Sequence, residues 1–358
     1  MPTDFSREVH CLLGLPFDAV DLAGAEQRIR LAAKTGARCF LSTPNVNFLI
    51  SSRTDDAFRR SVIDSDLSVA DGMPIVWLAR LMGAPIRSRV AGATLFESLR
   101  GGPDPLSVYF FGGSVGLAEQ AGRKLGVRCA GYAFPGYGTL EDMSGDEVIA
   151  HINASKADLL VVSLGARKGQ EWIERNRARL EVPVVSHLGA VLDFAAGRVK
   201  RAPAWMQASG LEWLWRIKEQ PALWRRYFSD GLALARLFAT RVLPYAWYVR
   251  RNTPDSSDAS LEIRDGTLRP RGAWTGANLA RLRRAFHHAA LAGKNLRLDL
   301  GAVTHADSAF VGLLMMVEAH QRRHGRHLVL VSASEPVRRV LRYCCAEYLL
   351  SAIAREAA

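Results

Sequence analysis

Hydrophobic positions in the first half of the chain come in short continuous runs rather than in strict alternation. The runs are rich in β-branched and aromatic residues, and stretches with helical spacing of apolar residues separate them. They cover residues 37–43, 66–70, 106–113, 126–132, 157–165 and 182–189. The helical stretches include Thr54–Ile63, Gly116–Leu125 and Gly145–Ala154. Continuous apolar strands that alternate with helices are typical of a mostly parallel sheet covered on both faces. The pattern therefore predicts a Rossmann-like α/β domain over residues 1–204.

The next segment, 205–251, mixes tryptophan, tyrosine and phenylalanine with arginine and lysine, and we interpret it as a helical appendage. Acidic residues are few in it: Glu212, Glu219 and Asp230. Residues 252–260 are polar and turn-rich, which predicts a linker.

A second hydrophobic pattern fills residues 261–358. It predicts a hairpin with a tight turn at Asp265 and Gly266, followed by a helix, a strand, a second helix, another strand and a final helix from Glu335. This order predicts a small α/β domain.

Composition and charge narrow the class of protein. The 358 residues are 49% hydrophobic, and 47 Lys and Arg against 35 Asp and Glu give a formal charge of +12. Such a surface favours an anionic partner such as phosphate, nucleic acid or anionic lipid. No CxxC pair or zinc-spaced cluster occurs, so the cysteines predict reduced, mostly buried thiols; they are Cys11, Cys39, Cys129, Cys344 and Cys345. Without a signal-peptide pattern or an apolar run of about 18 residues, we expect a cytoplasmic protein.

Polar residues follow two of the predicted strands. Thr43, Asn45 and Asn47 offer neutral hydrogen-bonding groups suited to sugar hydroxyls, at the strand end where ligands bind in open α/β sheets. Asp71 follows the next strand and could act as a general base toward an attacking hydroxyl. The alternative is structural: an Asn/Pro turn in the first case and a helix N-cap in the second.

Glycine-containing turns follow two further strands. Gly112 and Gly113 precede a helix and could let the backbone approach a phosphate, although strand-to-helix turns use glycine for conformational reasons too. Gly165 opens another helix, in which Lys168 could hold phosphate and Gln170 could reach a sugar or base. Neither turn is a Walker A loop or a GxGxxG motif, which argues against kinases and dehydrogenases.

Taken in order, these segments resemble the WecG/TagA/CpsF glycosyltransferase family, also called glycosyltransferase family twenty-six. The motifs that carry the resemblance are TPNVNF (43–48), SVADGMPIVWLARLMGAPIRSRVAG (68–92), FFGG (110–113), LGARKGQEWI (164–173), GAVLDFAAGRVKRAPAWM (189–206) and GLEWLWRIKEQPALWRRY (210–227).

The resemblance implies an inverting, metal-independent hexosyltransferase without a cofactor. It would move a sugar, of the N-acetylmannosamine type or a related hexose, from a UDP-sugar to a polyprenyl-diphosphate-linked acceptor in exopolysaccharide or other cell-surface glycan synthesis. Asp71 falls on the family's proposed base, and Thr43 and Asn45 fall on its pocket. We add Asn47, Arg89 and Asp193, with the glycines above, as substrate-binding candidates. The family often reads LGxPKQE where this chain has LGARKGQE, so Lys168 aligns well and Gln170 is displaced by one position.

The resemblance also gives the appendage a function. Tryptophan and tyrosine favour the headgroup level of a membrane, and arginine favours anionic lipid or the acceptor's diphosphate. Arg216, Arg225 and Arg226 are the candidates for diphosphate contacts, and the protein is expected at the inner face of the cell membrane as a peripheral protein. The alternative is a packed helix pair with solvated arginines.

The C-terminal domain resembles a STAS domain through the segments 296–317 and 327–341. In regulated members a serine at a helix start is phosphorylated, which adds charge where a protein partner docks. Asp307 and Ser308 match that motif, whereas Ala309 and Phe310 depart from it. A phosphorylation switch at Ser308 and a scaffold or dimerisation role both stay open.

Two other functions compete with the transferase. The chain could be a regulatory or scaffold protein that acts through the STAS-like domain beside a degenerate transferase. Nucleic-acid binding has little support, because the arginines lie among tryptophans in one appendage and no nucleic-acid motif occurs.

Overall fold

The computed structural model describes residues 4–101, 104–125, 128–252 and 258–350. These form two compact units, which we describe separately. The parallel-sheet unit comprises Val20–Val76 and Ser88–Gly231. The mixed-sheet unit comprises the chain up to Ala19, the short segment Trp77–Arg87 and the chain from Leu232 onward.

The strands follow the predicted runs closely. They are β1 (Val9–Leu12), β2 (Leu15–Asp18), β3 (Cys39–Ser42), β4 (Leu67–Ser68), β5 (Val108–Gly112), β6 (Cys129–Ala133), β7 (Leu159–Ser163), β8 (Val184–His187), β9 (Ser260–Arg264), β10 (Thr267–Trp274), β11 (Leu296–Leu300), β12 (Val303–Ala306) and β13 (Leu328–Ala333). Neither the N-terminal pair β1 and β2 nor the separate strand β12 was predicted. Of the run predicted at 126–132, residues 126–127 lie outside the described chain, as do residues 253–257 of the linker.

The helices separate these strands. They are α1 (Leu22–Thr35), α2 (Val46–Ser51), α3 (Asp56–Ile63), α4 (Met73–Leu81), α5 (Gly92–Arg100), α6 (Leu117–Leu125), α7 (Asp146–Ala154), α8 (Ala166–Asn176), α9 (Gly189–Ala195), α10 (Ala204–Ala208), α11 (Glu212–Glu219), α12 (Trp224–Leu237), α13 (Leu243–Arg251), α14 (Ala280–Leu291), α15 (Ser308–Arg323) and α16 (Glu335–Tyr343). Each helical stretch predicted from apolar spacing contains a helix, so the periodicity is a sound guide here.

The parallel-sheet unit confirms the predicted α/β class. Its strands lie in the order β4-β3-β8-β7-β5-β6, and every neighbouring pair is parallel. Alternate residues of β5 pack on opposite faces: Val108 and Phe110 join one apolar cluster, whereas Tyr109 and Phe111 join another. Burial on both faces explains why the strands read as continuous apolar runs.

The mixed-sheet unit contains the predicted small α/β module. Its strand order is β12-β10-β11-β13, and β9 pairs antiparallel with β10. Asp265 and Gly266 connect β9 to β10, both with positive φ, as the predicted tight hairpin turn requires. The final helix begins at Glu335, as predicted.

The N-terminal hairpin belongs to this second unit. Strand β1 packs against α15, where a Cβ on Gly312 would lie 2.3 Å from the carbonyl oxygen of Val9. Glycine at this position inside a helix therefore lets the strand's backbone come close. The predicted domain limits at residues 204, 251 and 260 stay a prediction.

Two simple expectations can be checked against the described chain. Four of the five cysteines are buried, as their sequence context predicts, and Cys129 is half-buried. Within the described ranges, the helices are all too short or too polar to cross a membrane.

Candidate active site

The carboxyl ends of the parallel strands gather the predicted transferase residues at one edge of the sheet. Because all of these strands run the same way, the segments that follow β3, β4, β5, β7 and β8 emerge together. The predicted residues at this edge are Thr43, Asn45, Asn47, Asp71, Gly112, Gly113, Gly165, Lys168, Gln170 and Asp193. The parallel topology alone therefore brings most of the predicted site together.

Asp71 lies in the turn after β4, beside the turn after β3. Its amide donates to the carbonyl oxygen of Pro44 at 3.1 Å, which ties the two turns together. Within the described chain, the amide that donates to its carboxylate belongs to Gly92 at the start of α5, at a long 3.4 Å, and not to α4. Asp71 is thus not the N-cap of the helix that follows it, and its side chain is 29% exposed.

Two opposing effects set the protonation of Asp71. Burial raises the pKa of this carboxyl to about 6, and the neighbouring guanidinium of Arg89 opposes the rise. The Glu212 carboxylate raises the same pKa, and the Arg216 charge lowers it. A carboxylate with this pKa is ionised near neutral pH and is more basic than an ordinary aspartate, as a general base should be.

Arg89 connects Asp71 to the appendage. Its Nη2 atom lies 2.5 Å from Oε2 of Glu212, and its Nη1 donates to the carbonyl oxygen of Gln207 at 3.3 Å. Its Nε lies 3.8 Å from Oδ1 of Asp71. The arginine side chain is only 14% exposed, so this is a largely buried charge network. Sequence reasoning proposed Arg89 and missed Glu212, although Glu212 was conspicuous as an acidic residue in a basic segment.

Arg216 connects Asp71 electrostatically with a second carboxylate, Asp193. The positive charge of Arg216 acts on both Asp71 and Asp193, and its guanidinium lies 5.4 Å from the centre of the Phe194 ring. Burial raises the pKa of Asp193, and Arg198 and Arg216 lower it. The site thus combines carboxylates with cations that could stabilise a departing diphosphate.

The polar residues after β3 have structural partners of their own. Thr43 is buried, and a Cβ on Gly92 would lie 3.5 Å from its hydroxyl oxygen. Asn45 is the N-cap of α2, with its side-chain oxygen accepting from the amide of Phe48 at 3.3 Å. Asn47 donates to Oδ2 of Asp230 at 3.0 Å, which joins this turn to α12. The structural alternative, an Asn/Pro turn that leads into a helix, therefore describes Asn45 well. The cap uses the side-chain oxygen, so the side-chain NH₂ group remains for a ligand.

The glycine turns have the backbone geometry that glycine favours. Gly112 and Gly113 have φ of 104° and 81°, and a Cβ on Gly112 would lie 2.6 Å from the carbonyl oxygen of Ser163. Gly165, with φ of 82°, precedes α8 directly. These glycines permit close packing between β5, β7 and the helices, which is a structural reason for them beside the proposed phosphate contact.

The two predicted residues of α8 differ in burial. Lys168 is half-buried and donates to the carbonyl oxygen of Gly138 at 2.6 Å. Gln170 is fully buried and exchanges hydrogen bonds with the Ser42 hydroxyl at 3.1 and 3.3 Å. Contact between Gln170 and a substrate stays a prediction, and its observed partner is the end of β3.

His187 at the end of β8 is a polar residue that the sequence reading overlooked. It is buried between Gly169 and Gly189, and burial lowers its pKa to about 4, so the ring is neutral. Its Nε2 has no hydrogen-bond partner among the described residues. A single histidine in the apolar run VPVVSHLG does not indicate from sequence that its ring is buried and neutral.

Arg225 and Arg226 lie in the first turn of α12 and are exposed. Their guanidinium groups lie 5.7 Å from the ring of Trp224 and 5.3 Å from that of Tyr227, respectively. These two predicted cations therefore lie at the surface, each in a cation–π contact with a neighbouring aromatic side chain. In the described ranges no group of three or more His, Cys, Asp or Glu residues is placed to hold a metal ion.

A family model for WecG/TagA/CpsF glycosyltransferases matches residues 10–246. The chain belongs to this family. A second model, described as an MlaB-type STAS domain, matches residues 258–350.

Curated members of the glycosyltransferase family support the assignment. A protein of Bacillus spizizenii is 30% identical over 197 residues, which are 53% of this chain and 75% of that protein. Proteins of Bacillus subtilis and Staphylococcus aureus are 26% and 25% identical over 193 and 209 residues, 53% and 57% of this chain and 75% and 82% of theirs. All three are named N-acetylglucosaminyldiphosphoundecaprenol N-acetyl-beta-D-mannosaminyltransferase.

Ser308, the predicted phosphorylation residue, lies in the mixed-sheet unit at the start of α15. It is 2% exposed, its hydroxyl lies 3.0 Å from Nδ1 of His10, and its amide donates to the Tyr245 hydroxyl at 2.8 Å. A kinase could reach this hydroxyl only after the N-terminal hairpin that carries His10 had moved. Burial lowers the pKa of His10, so the residue that covers Ser308 is neutral near physiological pH.

Proposed function

We propose that this chain transfers a sugar of the N-acetylmannosamine type from a UDP-sugar to a polyprenyl-diphosphate-linked acceptor in the synthesis of a cell-surface glycan. The observation that carries the proposal is Asp71, a carboxylate of raised pKa at the carboxyl edge of the parallel sheet, beside Arg89 and Arg216. The names of the related proteins supply the class of donor sugar and acceptor.

In the proposed reaction Asp71 is the catalytic base. The acceptor hydroxyl attacks the anomeric carbon from the side opposite the nucleotide and forms the new glycosidic bond. Its proton passes to the Asp71 carboxylate, and the bond from the anomeric carbon to the diphosphate oxygen breaks. UDP leaves with the electron pair, and the configuration at the anomeric carbon is inverted.

The departing diphosphate needs positive charge, and in the proposed reaction the protein itself supplies it. Arg216 and Lys168 are the cations that we assign to contact with the diphosphate, in place of a metal ion, and the nearby charge of Arg89 adds to the positive potential. Thr43, Asn45 and Asn47 would hold sugar hydroxyls. The glycine turns at 112–113 and 165 would admit the nucleotide to the helix ends, and Gln170 and Asp193 would complete the pocket.

The acceptor is a lipid, so the enzyme has to work at a membrane surface. We assign Arg225 and Arg226 to the acceptor diphosphate and to anionic headgroups. Tryptophans of the same segment are exposed on the surface, namely Trp205, Trp213 and Trp224, and exposed tryptophan favours the headgroup level. A peripheral position at the inner face of the cell membrane follows from these assignments.

For the STAS-like module we favour the scaffold role over the phosphorylation switch. The specific observation is the hairpin of β1 and β2, which packs on α15 and covers Ser308. In this view the module holds the chain's own N-terminus, and a protein partner would bind elsewhere on it.

The proposal is tested with purified protein, UDP-N-acetylmannosamine and a short-chain polyprenyl-diphosphate-N-acetylglucosamine. We expect acceptor-dependent release of UDP and a product larger by one N-acetylhexosamine, in the presence and in the absence of EDTA. Asp71→Asn should abolish both signals. Lack of transfer with this donor and with a panel of other UDP-hexoses would favour the competing function, a scaffold with a degenerate transferase.

A further inference from the structure

Glu212 is an acidic residue of the basic appendage whose side chain points into the candidate active site. It begins α11, and its side chain is 19% exposed. Its Oε2 lies 2.5 Å from Nη2 of Arg89, within the range of a charge-assisted hydrogen bond. An ion pair this sheltered is screened less by solvent than the surface pairs of the same unit.

The orientation of the Arg89 guanidinium follows from this pair. Both terminal nitrogens point toward the segment 207–212: Nη2 to Glu212 and Nη1 to the carbonyl oxygen of Gln207. What remains for Asp71 is Nε, at 3.8 Å from the carboxylate oxygen, which is beyond hydrogen-bond distance. Arg89 is thus close to Asp71 without forming the bidentate ion pair that arginine readily makes with a carboxylate.

A bidentate ion pair with Arg89 would make Asp71 a weaker base. A carboxylate locked to arginine has its oxygens engaged and its proton affinity lowered, so it accepts a proton less readily. Asp71 has little else to engage it, since its described backbone contact is the long one to Gly92. The position of Arg89 therefore decides whether Asp71 is available.

We propose that Glu212 is a positioning residue for the transfer reaction, which holds the Arg89 guanidinium so that the Asp71 carboxylate forms no bidentate pair with it and stays able to receive the acceptor's proton. The inference rests on the proposed role of Asp71 as base. The charges that face Asp71 are those of Arg89, Glu212 and Arg216, and Glu212 is the one among them that opposes the two cations. Its carboxylate raises the pKa of Asp71, in the same direction as burial.

A different role for Glu212 makes the opposite prediction. The carboxylate could act as a placeholder that occupies Arg89 until the donor's diphosphate replaces it. Removal of a placeholder would tighten donor binding, which lowers KM, and would leave turnover unchanged or higher. Removal of a positioning residue would instead weaken the base and lower turnover.

The test is the pH dependence of transfer by Glu212→Gln, with Glu219→Gln as the matched control. Glu219 is the last residue of the same helix and is exposed, so the control removes the same charge from the same segment. We expect the acidic limb of the rate profile to move to lower pH by about one unit in Glu212→Gln, because Arg89 becomes free to pair with Asp71. Plateau turnover should fall about tenfold. The control should keep the wild-type profile.

A conservative variant distinguishes positioning from a general loss of structure. Glu212→Asp keeps the charge on a shorter side chain, so it should restore much of the turnover and move the acidic limb only part of the way that Glu212→Gln moves it. If Glu212→Gln melts at a lower temperature than the wild type, Glu212→Asp carries the test alone, with a partial shift expected.

The outcomes separate this inference from the function on which it rests. An unshifted acidic limb with wild-type turnover in Glu212→Gln overturns the positioning role, and so does a lower donor KM with turnover intact. Failure of the wild type to transfer any sugar, or full turnover in Asp71→Asn, instead overturns the proposed function.

Discussion

Asp71 and Asp307 occupy equivalent places in their sequences, each just after a buried strand and before a helix, yet they have different environments. Asp307 uses both carboxylate oxygens on backbone amides: it accepts from Phe310 at 2.9 Å as the N-cap of α15 and from Gly276 at 2.8 Å. Asp71 accepts one bond of 3.4 Å and otherwise faces charged side chains. The comparison teaches that the number of backbone amides on a carboxylate separates a structural aspartate from one free for chemistry.

Replacing each aspartate with alanine tests this comparison directly, and we expect the largest effect, a loss of transferase turnover, at Asp71. Asp71→Ala should lower transferase turnover by about 100- to 10,000-fold, the range for loss of a general base, with little change in stability. Asp307→Ala should keep turnover and cost about 1–2 kcal/mol of stability, because a helix cap is lost. Initial rates of UDP release and urea unfolding measure the two. A stable, fully active Asp71→Ala protein would contradict the contrast.

Two helical glycines, Gly312 of the mixed-sheet unit and Gly231 of the parallel-sheet unit, offer the next test. Gly312→Ala should destabilise the protein by about 1–3 kcal/mol, because the added methyl meets the carbonyl oxygen of Val9. Gly231→Ala in α12 meets nothing within 4 Å and should stabilise by up to about 1 kcal/mol. Denaturant midpoints report both. If both variants stabilised the protein equally, the backbone of β1 would not pack closely against Gly312 of α15 in solution.

The exposed arginines of the appendage should differ from exposed cations of the mixed-sheet unit. Arg225→Gln with Arg226→Gln should weaken binding to vesicles that contain anionic lipid by about 2 kcal/mol, or roughly 30-fold. The pair Arg284→Gln and Lys294→Gln removes the same charge from the other unit and should change binding little. Vesicle sedimentation at fixed ionic strength is the measurement, and equal losses would assign the attraction to net charge alone.

Ser308 gives the smallest expected effect. Ser308→Ala should cost about 1 kcal/mol, because the hydroxyl that meets His10 is lost while the helix is kept. Thermal unfolding of the variant beside the wild type measures this. Intact-mass analysis of protein from native cells should find Ser308 unmodified, and full phosphorylation there would show that the hairpin leaves α15 in the cell.

Much of the fold could be predicted because it depends on local patterns. Parallel strands buried on both faces give continuous apolar runs, and positive φ at Asp265 and Gly266 gives a turn that sequence alone reveals. The gathering of Thr43, Asp71 and Asp193 also follows from topology, since the carboxyl ends of parallel strands share an edge.

The parts that sequence missed depend on contacts between distant segments. Nothing near Glu212 in sequence indicates that it pairs with Arg89, because that pair requires α11 to pack beside the segment that precedes α5. Asn47 likewise finds Asp230 far along the chain. The strands β1 and β2 have only four residues each, too few for a periodic signal, and they are stabilised by a helix near the other end of the sequence.

That last arrangement has a consequence for how the protein is made. The hydroxyl of Ser308 and the ring of His10 are 298 positions apart in sequence, and Cys11 donates to the carbonyl oxygen of Cys344 across 333. During synthesis at about 5–20 residues per second, the first strand leaves the ribosome many seconds before its partner helix exists. The N-terminal hairpin must therefore wait without its native contacts, exposed to chaperones and to aggregation. Slower synthesis of the residues between β2 and α15 should lengthen that wait and lower the yield of folded protein.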